Sequence, residues 1–194
     1  MTIILIEGKK LIQSLLIEGR SVRSDMSYLL DFCAKTCESP AWKQISELNF
    51  EKDAALLQNW LNKTLTRNPP PESIRAFWFG LNNPTLNDGE LSCSLYISGS
   101  IYFDATDVTC AWACLDPDSY IPDDNYAKSG VLHEMYYQIN KYEVSEIGEY
   151  MLCLGYACLA IKSALNKLDK RFLSGAYGLR PVAVGFDNGD FIFI

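Results

Sequence analysis

Leu91-Ser92-Cys93-Ser94-Leu95-Tyr96-Ile97-Ser98 alternates apolar and polar side chains with Tyr96 the one large ring on the polar side. Successive side chains of a strand point to opposite faces. Leu91, Cys93, Leu95 and Ile97 therefore share one face, and Ser92, Ser94, Tyr96 and Ser98 the other. The reading is a half-buried strand, with the first face toward a core and the second toward water. Gly99 allows a bend or bulge, and residues 101–103 carry the extended run onward. Upstream, residues 74–81 read as a partner strand, and Asn82-Asn83-Pro84 and Asn87-Asp88-Gly89 supply turn residues between the two. Residues 74–104 thus form an expected antiparallel hairpin with a kinked second arm.

On either side of the hairpin the period becomes helical. Residues 50–67 place Leu57, Trp60, Leu61 and Leu65 at spacings of three and four, and Pro69-Pro70-Pro71 closes them off because a triple proline cannot continue a helix. Ser24 reads as the N-cap of an earlier helix bearing Met26, Leu29, Leu30 and Cys33, and Trp42, Ile45 and Leu48 as a further helical face. Leu5-Ile6-Glu7-Gly8-Lys9 returns as Leu16-Ile17-Glu18-Gly19-Arg20. That interval is about three helical turns, yet the isoleucines and glycines favour two short strands, or a strand followed by a helix.

Downstream, residues 105–127 read as an acidic loop. Residues 128–142 read as a helix with Val131, Leu132, Met135, Tyr136 and Ile139 on one face, and Ser145 as the cap of a second long helix through Leu165. Two apolar arms around Asp187-Asn188-Gly189-Asp190 are the strongest hairpin signal in the chain. The four apolar residues 191–194 are expected to lie inside the sheet. The expectation is an α+β protein: a helical N-terminal part, then an antiparallel sheet with two long helices, ending in a C-terminal β-hairpin. A single domain spans 1–194, with its best sub-boundary near 68–72.

Charge is distributed unevenly. The 52 residues 76–127 contain no Lys or Arg and eight acids, Asp88, Glu90, Asp104, Asp107, Asp116, Asp118, Asp123 and Asp124. Residues 1–75 carry ten basic and nine acidic groups and residues 128–194 seven of each, so the net charge of −7 comes from this one segment. Its aromatics include Trp112 and Tyr120. Acid with aromatic suits a surface that meets a cationic partner; a solvated acidic face is the plainer alternative. Nucleic acid and anionic membranes are disfavoured, since both call for clustered Lys and Arg. The apolar run of residues 3–6 is too short for a signal peptide and no stretch is long enough to span a membrane, which gives an expected cytoplasmic location.

Catalytic and metal signatures are not found. His133 is the single histidine, and Tyr137 stands where a zinc helix would place its second ligand. Cys33/Cys37 and Cys110/Cys114 have a spacing of four, looser than zinc knuckles, which on a helix puts both sulfurs on one buried face. Pro117 and Pro122 break any calcium-loop order among Asp116, Asp118, Asp123 and Asp124. No cofactor, no metal and no enzymatic activity are expected.

Phe77-Trp78-Phe79-Gly80-Leu81, Leu95-Tyr96-Ile97-Ser98-Gly99-Ser100 and Val184-Gly185-Phe186-Asp187-Asn188-Gly189-Asp190-Phe191 are similar to phrases of bacterial immunity proteins encoded beside polymorphic or contact-delivered toxins. The resemblance covers about the last 120 residues. It implies neutralisation of a basic toxin by direct binding, with carboxylates and aromatics laid over the toxin's active site. Charge and predicted loops place the contact patch at Asp116, Asp118, Tyr120, Asp123 and Asp124, with Trp112 as a further aromatic and Asp104 and Asp107 at the rim. The rival readings are a small-ligand binder or small enzyme with a carboxylate-containing cleft, and a subunit of a larger assembly.

Overall fold

The computed structural model of the chain describes residues 3–83, 92–107, 109–114, 118–187 and 189–194. Four helices come first: α1 (Ile3–Glu18), α2 (Val22–Thr36), α3 (Ala41–Ser46) and α4 (Phe50–Arg67). Strands β1 (Ala76–Asn82), β2 (Ser94–Ser100) and β3 (Tyr126–Ala127) follow. Helices α5 (Gly130–Lys141), α6 (Ser145–Gly148) and α7 (Gly155–Leu165) come next, with a π-helical turn over Glu149–Leu154 joining the last two. The chain ends with a small hairpin, β4 (Ser174–Gly175) and β5 (Gly178–Leu179), and with β6 (Val182–Phe186) and β7 (Phe191–Phe193). The α+β expectation holds.

The first twenty residues correct the expectation of strands. They form one helix, and its two glycines have different jobs. A Cβ on Gly8 would lie 2.3 Å from Met151 Sδ, so this glycine lets α1 close on the π-helical turn. Gly19, at φ +66°, stops the helix in the left-handed conformation that glycine adopts without strain. The next cap also moves: Ser21, not Ser24, is the N-cap of α2, its Oγ accepting from Ser24 N at 3.2 Å. Leu48 falls beyond α3. Val144, without a side-chain bond, caps α6, so Ser145 is its first residue.

Around the helical stretch from Ser145 to Leu165 the rest of the molecule packs. Residues 150–161 are buried on every side. A helix that is apolar all round is a core element. It meets α1, α2, α4 and α5, and one continuous apolar core runs from Ile12 in α1 to Ile192 in β7.

The main sheet has the order β3-β2-β1-β6-β7. β1 and β2 pair antiparallel from Ala76↔Ser100 to Asn82↔Ser94 with no bulge at Gly99, and β2 stops at Ser100 rather than continuing over 101–103. β1 and β6 pair in parallel, the one parallel ladder among the described residues of a mostly antiparallel sheet. The terminal hairpin of β6 and β7 forms as expected, its Asn188 lying outside the described residues. But β7 is an edge strand, not an interior one, with Phe193 41% exposed.

Alternation along β2 is as read, but its second face does not meet water. Ser98 is 1% and Tyr96 8% exposed. Phe77, Phe79, Leu95 and Ile97 face the helices, while Ala76, Trp78, Tyr96 and Ala183 face a second cluster with Cys110 and Trp112. Trp112 meets Trp78 edge-on at 6.4 Å between ring centres and stacks on Phe193 at 6.4 Å. Phe103, Cys110 and Trp112 thereby cover the face that the serines suggested was open.

Candidate functional site

The described acids of the loop are engaged in different ways. Asp104 Oδ1 accepts from Thr106 N at 2.8 Å and Thr106 Oγ1 at 2.7 Å. Asp107 Oδ1 accepts from Thr109 N at 2.8 Å and Thr109 Oγ1 at 2.6 Å, and its Oδ2 from Ala111 N at 2.7 Å. These side-chain and backbone bonds hold both carboxyls below the ordinary aspartate range, because they favour the charged form. Both groups are spent on shaping their own turns.

Asp123 and Asp124 are drawn to α4 instead. Arg67 Nη1 pairs with Asp124 Oδ2 at 2.8 Å, Asn68 Nδ2 donates to Asp123 Oδ2 at 3.4 Å, and Trp60 Nε1 donates to the Asp124 carbonyl at 2.9 Å. Lys63 and Lys128 share their groove, so the charge there is mixed. The two expected aromatic anchors are buried on opposite faces of the sheet. Trp112 belongs to the outer aromatic cluster, whereas Tyr120 lies in the main core and its hydroxyl donates to the Asn68 carbonyl. Asp118 is exposed, and Asp116 lies outside the described residues. Of the residues expected in the contact patch and its rim, Asp124 pairs with Arg67, Asp104 and Asp107 cap their own turns, and Trp112 and Tyr120 are buried.

A second acidic region lies at the carboxyl ends of two strands. Because β1 and β6 run in parallel, their carboxyl ends lie side by side and deliver Asn82 and Asn83 next to Phe186 and Asp187. The carboxyl ends of parallel strands are where open sheets containing them most often hold ligands. Two adjoining hollows meet there, sharing Phe186, Asp187 and Gly189. The inner one, about 400 Å³, is bounded by Trp78, Tyr96, Cys110 and Cys114, and the outer one, about 580 Å³, by Asn83, Glu149 and Asp190. Among the described residues no Lys or Arg lines either hollow.

The groups in this cleft are positioned by one another. Tyr96 OH donates to Asp187 Oδ1 at 2.6 Å and accepts from Trp78 Nε1 at 3.2 Å. The tyrosine ring lies across Gly80 of the neighbouring strand, where a Cβ would come within 2.2 Å of it, so only glycine leaves room. Burial, together with the bond to Asp187, raises the Tyr96 hydroxyl well above its ordinary value and keeps it a donor. Glu149 opens the π-helical turn, a feature frequent at functional sites. Its carboxyl accepts from Asn83 Nδ2 at 3.4 Å, and desolvation raises it above its ordinary value despite that bond.

Thiol chemistry is muted. Burial pushes Cys33 and Cys110 up to about 12 and also raises Cys158, while a hydrogen bond with Cys93, together with burial, raises Cys153, which makes these four inert. The spacing of four does not align sulfurs as expected: Cys33 is buried but Cys37 is the half-buried C-cap of α2, and Cys110 is buried while Cys114 is exposed. No group of three or more His, Cys, Asp or Glu that could hold a metal ion occurs among the described residues. No described helix is long and apolar enough to cross a membrane.

Comparison with protein families, with curated proteins and with solved structures finds no match to this chain. In the sequence Asp187 and Asp190 stand out only as turn residues, and Glu149 falls within the helix read from Ser145 to Leu165. Nothing in their spacing links positions so far apart; the parallel pairing of β1 with β6 does.

Proposed function

We propose that this chain is a binding protein of the immunity type, which neutralises a basic protein toxin by seating cationic side chains in the cleft at the carboxyl ends of β1 and β6. The observation that carries the reading is a concave surface bearing Glu149, Asp187 and Asp190 with no cation among its described lining residues. Such a surface steers a basic partner toward it, and aromatic side chains supply contact area once it arrives. The test begins with co-purification from the native cell, asking whether a basic protein accompanies the chain. Affinity for that protein is expected to fall about tenfold or more as salt rises from 50 to 300 mM, with most of the loss in the association rate. Asp187→Asn is expected to weaken binding about tenfold, whereas Asp124→Asn, whose carboxylate already pairs with Arg67, changes it less than about threefold. Binding indifferent to ionic strength removes the steering role.

A second reading, a small-ligand binder or small enzyme using the same carboxylates, is favoured by one observation: Glu149 is desolvated and its pKa raised inside a cleft. The raised value has its own consequence. A carboxyl whose folded pKa exceeds the unfolded one stabilises the protein below the unfolded value and loses that contribution as pH rises through the folded value. Stability is therefore expected to decline through the range just above the ordinary glutamate value of 4.5. Glu149→Gln flattens that part of the profile. Urea midpoints measured between pH 4 and 7 check it, and identical profiles for the two proteins contradict the assignment.

A further inference from the structure

We propose that the inner hollow of the cleft is a guanidinium pocket, built to take an arginine side chain of the protein partner in preference to a lysine. This rests on reading the cleft as a receptor for cationic groups.

Three features converge on a planar cation. Among its described lining residues the hollow holds one carboxylate, Asp187, whose Oδ1 is tethered by the Tyr96 hydroxyl at 2.6 Å while no described group bonds its Oδ2. A carboxylate with its rotamer held in this way is pre-organised for a charged donor, and less ordering entropy is lost on binding. The same hollow is lined by Trp78 and Tyr96, two aromatic side chains of the outer cluster. A guanidinium is weakly hydrated and stacks on aromatic faces while its edge bonds a carboxylate; an ammonium is a strongly hydrated point charge that needs several acceptors to replace its water. One carboxylate among aromatic rings answers the first requirement and not the second. The volume of about 400 Å³ also admits the long side chain of arginine.

Outside the hollow, Asp190 and Glu149 contribute negative charge without lining it. They attract either cation, so the preference belongs to the inner hollow and the attraction to the outer one. Tyr96 acts as a positioning residue, since it touches Asp187 and orders the acceptor.

N-acetyl-arginine amide, N-acetyl-lysine amide and guanidinium chloride are the probes. Trp78 Nε1 donates to Tyr96 OH, which places its indole N–H signal in an NMR spectrum next to the event. The arginine amide and guanidinium are expected to shift that signal with a dissociation constant on the order of millimolar, and the lysine amide to bind at least about tenfold more weakly. Asp187→Asn abolishes the arginine response. Tyr96→Phe weakens it at least about threefold while leaving the rest of the spectrum folded, and Glu149→Gln changes it less than about twofold. Equal binding of the lysine and arginine amides, an unchanged response in Asp187→Asn, or no shift at 100 mM probe overturns the pocket. These measurements need no partner. Loss of the arginine preference therefore leaves salt-dependent partner capture standing, and failure to find a basic partner leaves an observed preference standing.

Discussion

Replacing Asp53 with alanine is expected to lower the unfolding free energy by about 4 kcal/mol, near the upper end for a single substitution. Asp53 is 6% exposed, on the inner side of α4. One carboxylate oxygen accepts from the Gly130 N–H at 3.0 Å, and the other from Ser129 Oγ at 2.6 Å and Tyr156 OH at 2.7 Å. The side chain thus joins α4 to the N-terminus of α5 and to α7. Its negative charge also sits at a helix start, where the macrodipole favours it. Alanine removes every acceptor at once and leaves buried donors unpaired, each costing about 1–3 kcal/mol. Asp53→Asn keeps the size and one acceptor oxygen, and is expected to cost about half as much. Tyr156→Phe removes a single bond for about 1–2 kcal/mol. Urea unfolding followed by circular dichroism reads the series. A loss under 1 kcal/mol in the alanine variant contradicts the anchoring role.

Arg180→Ala has the next largest expected effect, about 3–4 kcal/mol. The residue is 5% exposed and gathers carbonyls from the proline connector, from Ile74 ahead of β1 and from residues 172–174. Its Nε donates to Ile74 O at 2.9 Å, Nη2 to Pro71 O at 2.9 Å, and Nη1 to Phe172 O at 3.0 Å and to Ser174 O. The triple-proline connector has no N–H groups of its own to offer, so its approach to β1 is held from outside. Desolvation lowers the Arg180 pKa from its ordinary value, and the guanidinium lies 5.7 Å from the Phe77 ring centre. Lysine cannot fan its donors over four carbonyls, so Arg180→Lys is expected to recover less than half of the loss. Unfolding midpoints give the size, and amide exchange at residues 172–174 and at Ile74 locates it. Exchange unchanged there, with an equal loss spread through the molecule, rules out the local clamp.

The parts of the fold legible in the chain were those governed by short-range rules. α4 runs over Phe50–Arg67 as its leucine spacing demands, and the terminal β6–β7 hairpin follows its Asp-Asn-Gly-Asp turn. The misreadings share a cause. Gly8 looked like a helix breaker and is a contact with Met151, 143 residues away in sequence. Ser98 looked solvated and is buried, on the face of β2 that carries Tyr96 toward the outer aromatic cluster. Asp124 looked like free negative charge and is paired with Arg67. In each case a partner distant in sequence overrode the local preference.

The same division runs through the candidate site. A chain with a cation-free, acid-rich middle third and a neutral remainder was settled by residue types alone, because net charge and periodicity are sums over the sequence. Which carboxylates stay available was decided by tertiary structure: Arg67 and the 104–111 turns take up loop acids, while the parallel pairing of β1 with β6 brings Asp187 and Asp190 together with Glu149 from the π-helical turn. The physical reason is that a charge's environment depends on neighbours in space, and only the folded chain fixes those neighbours.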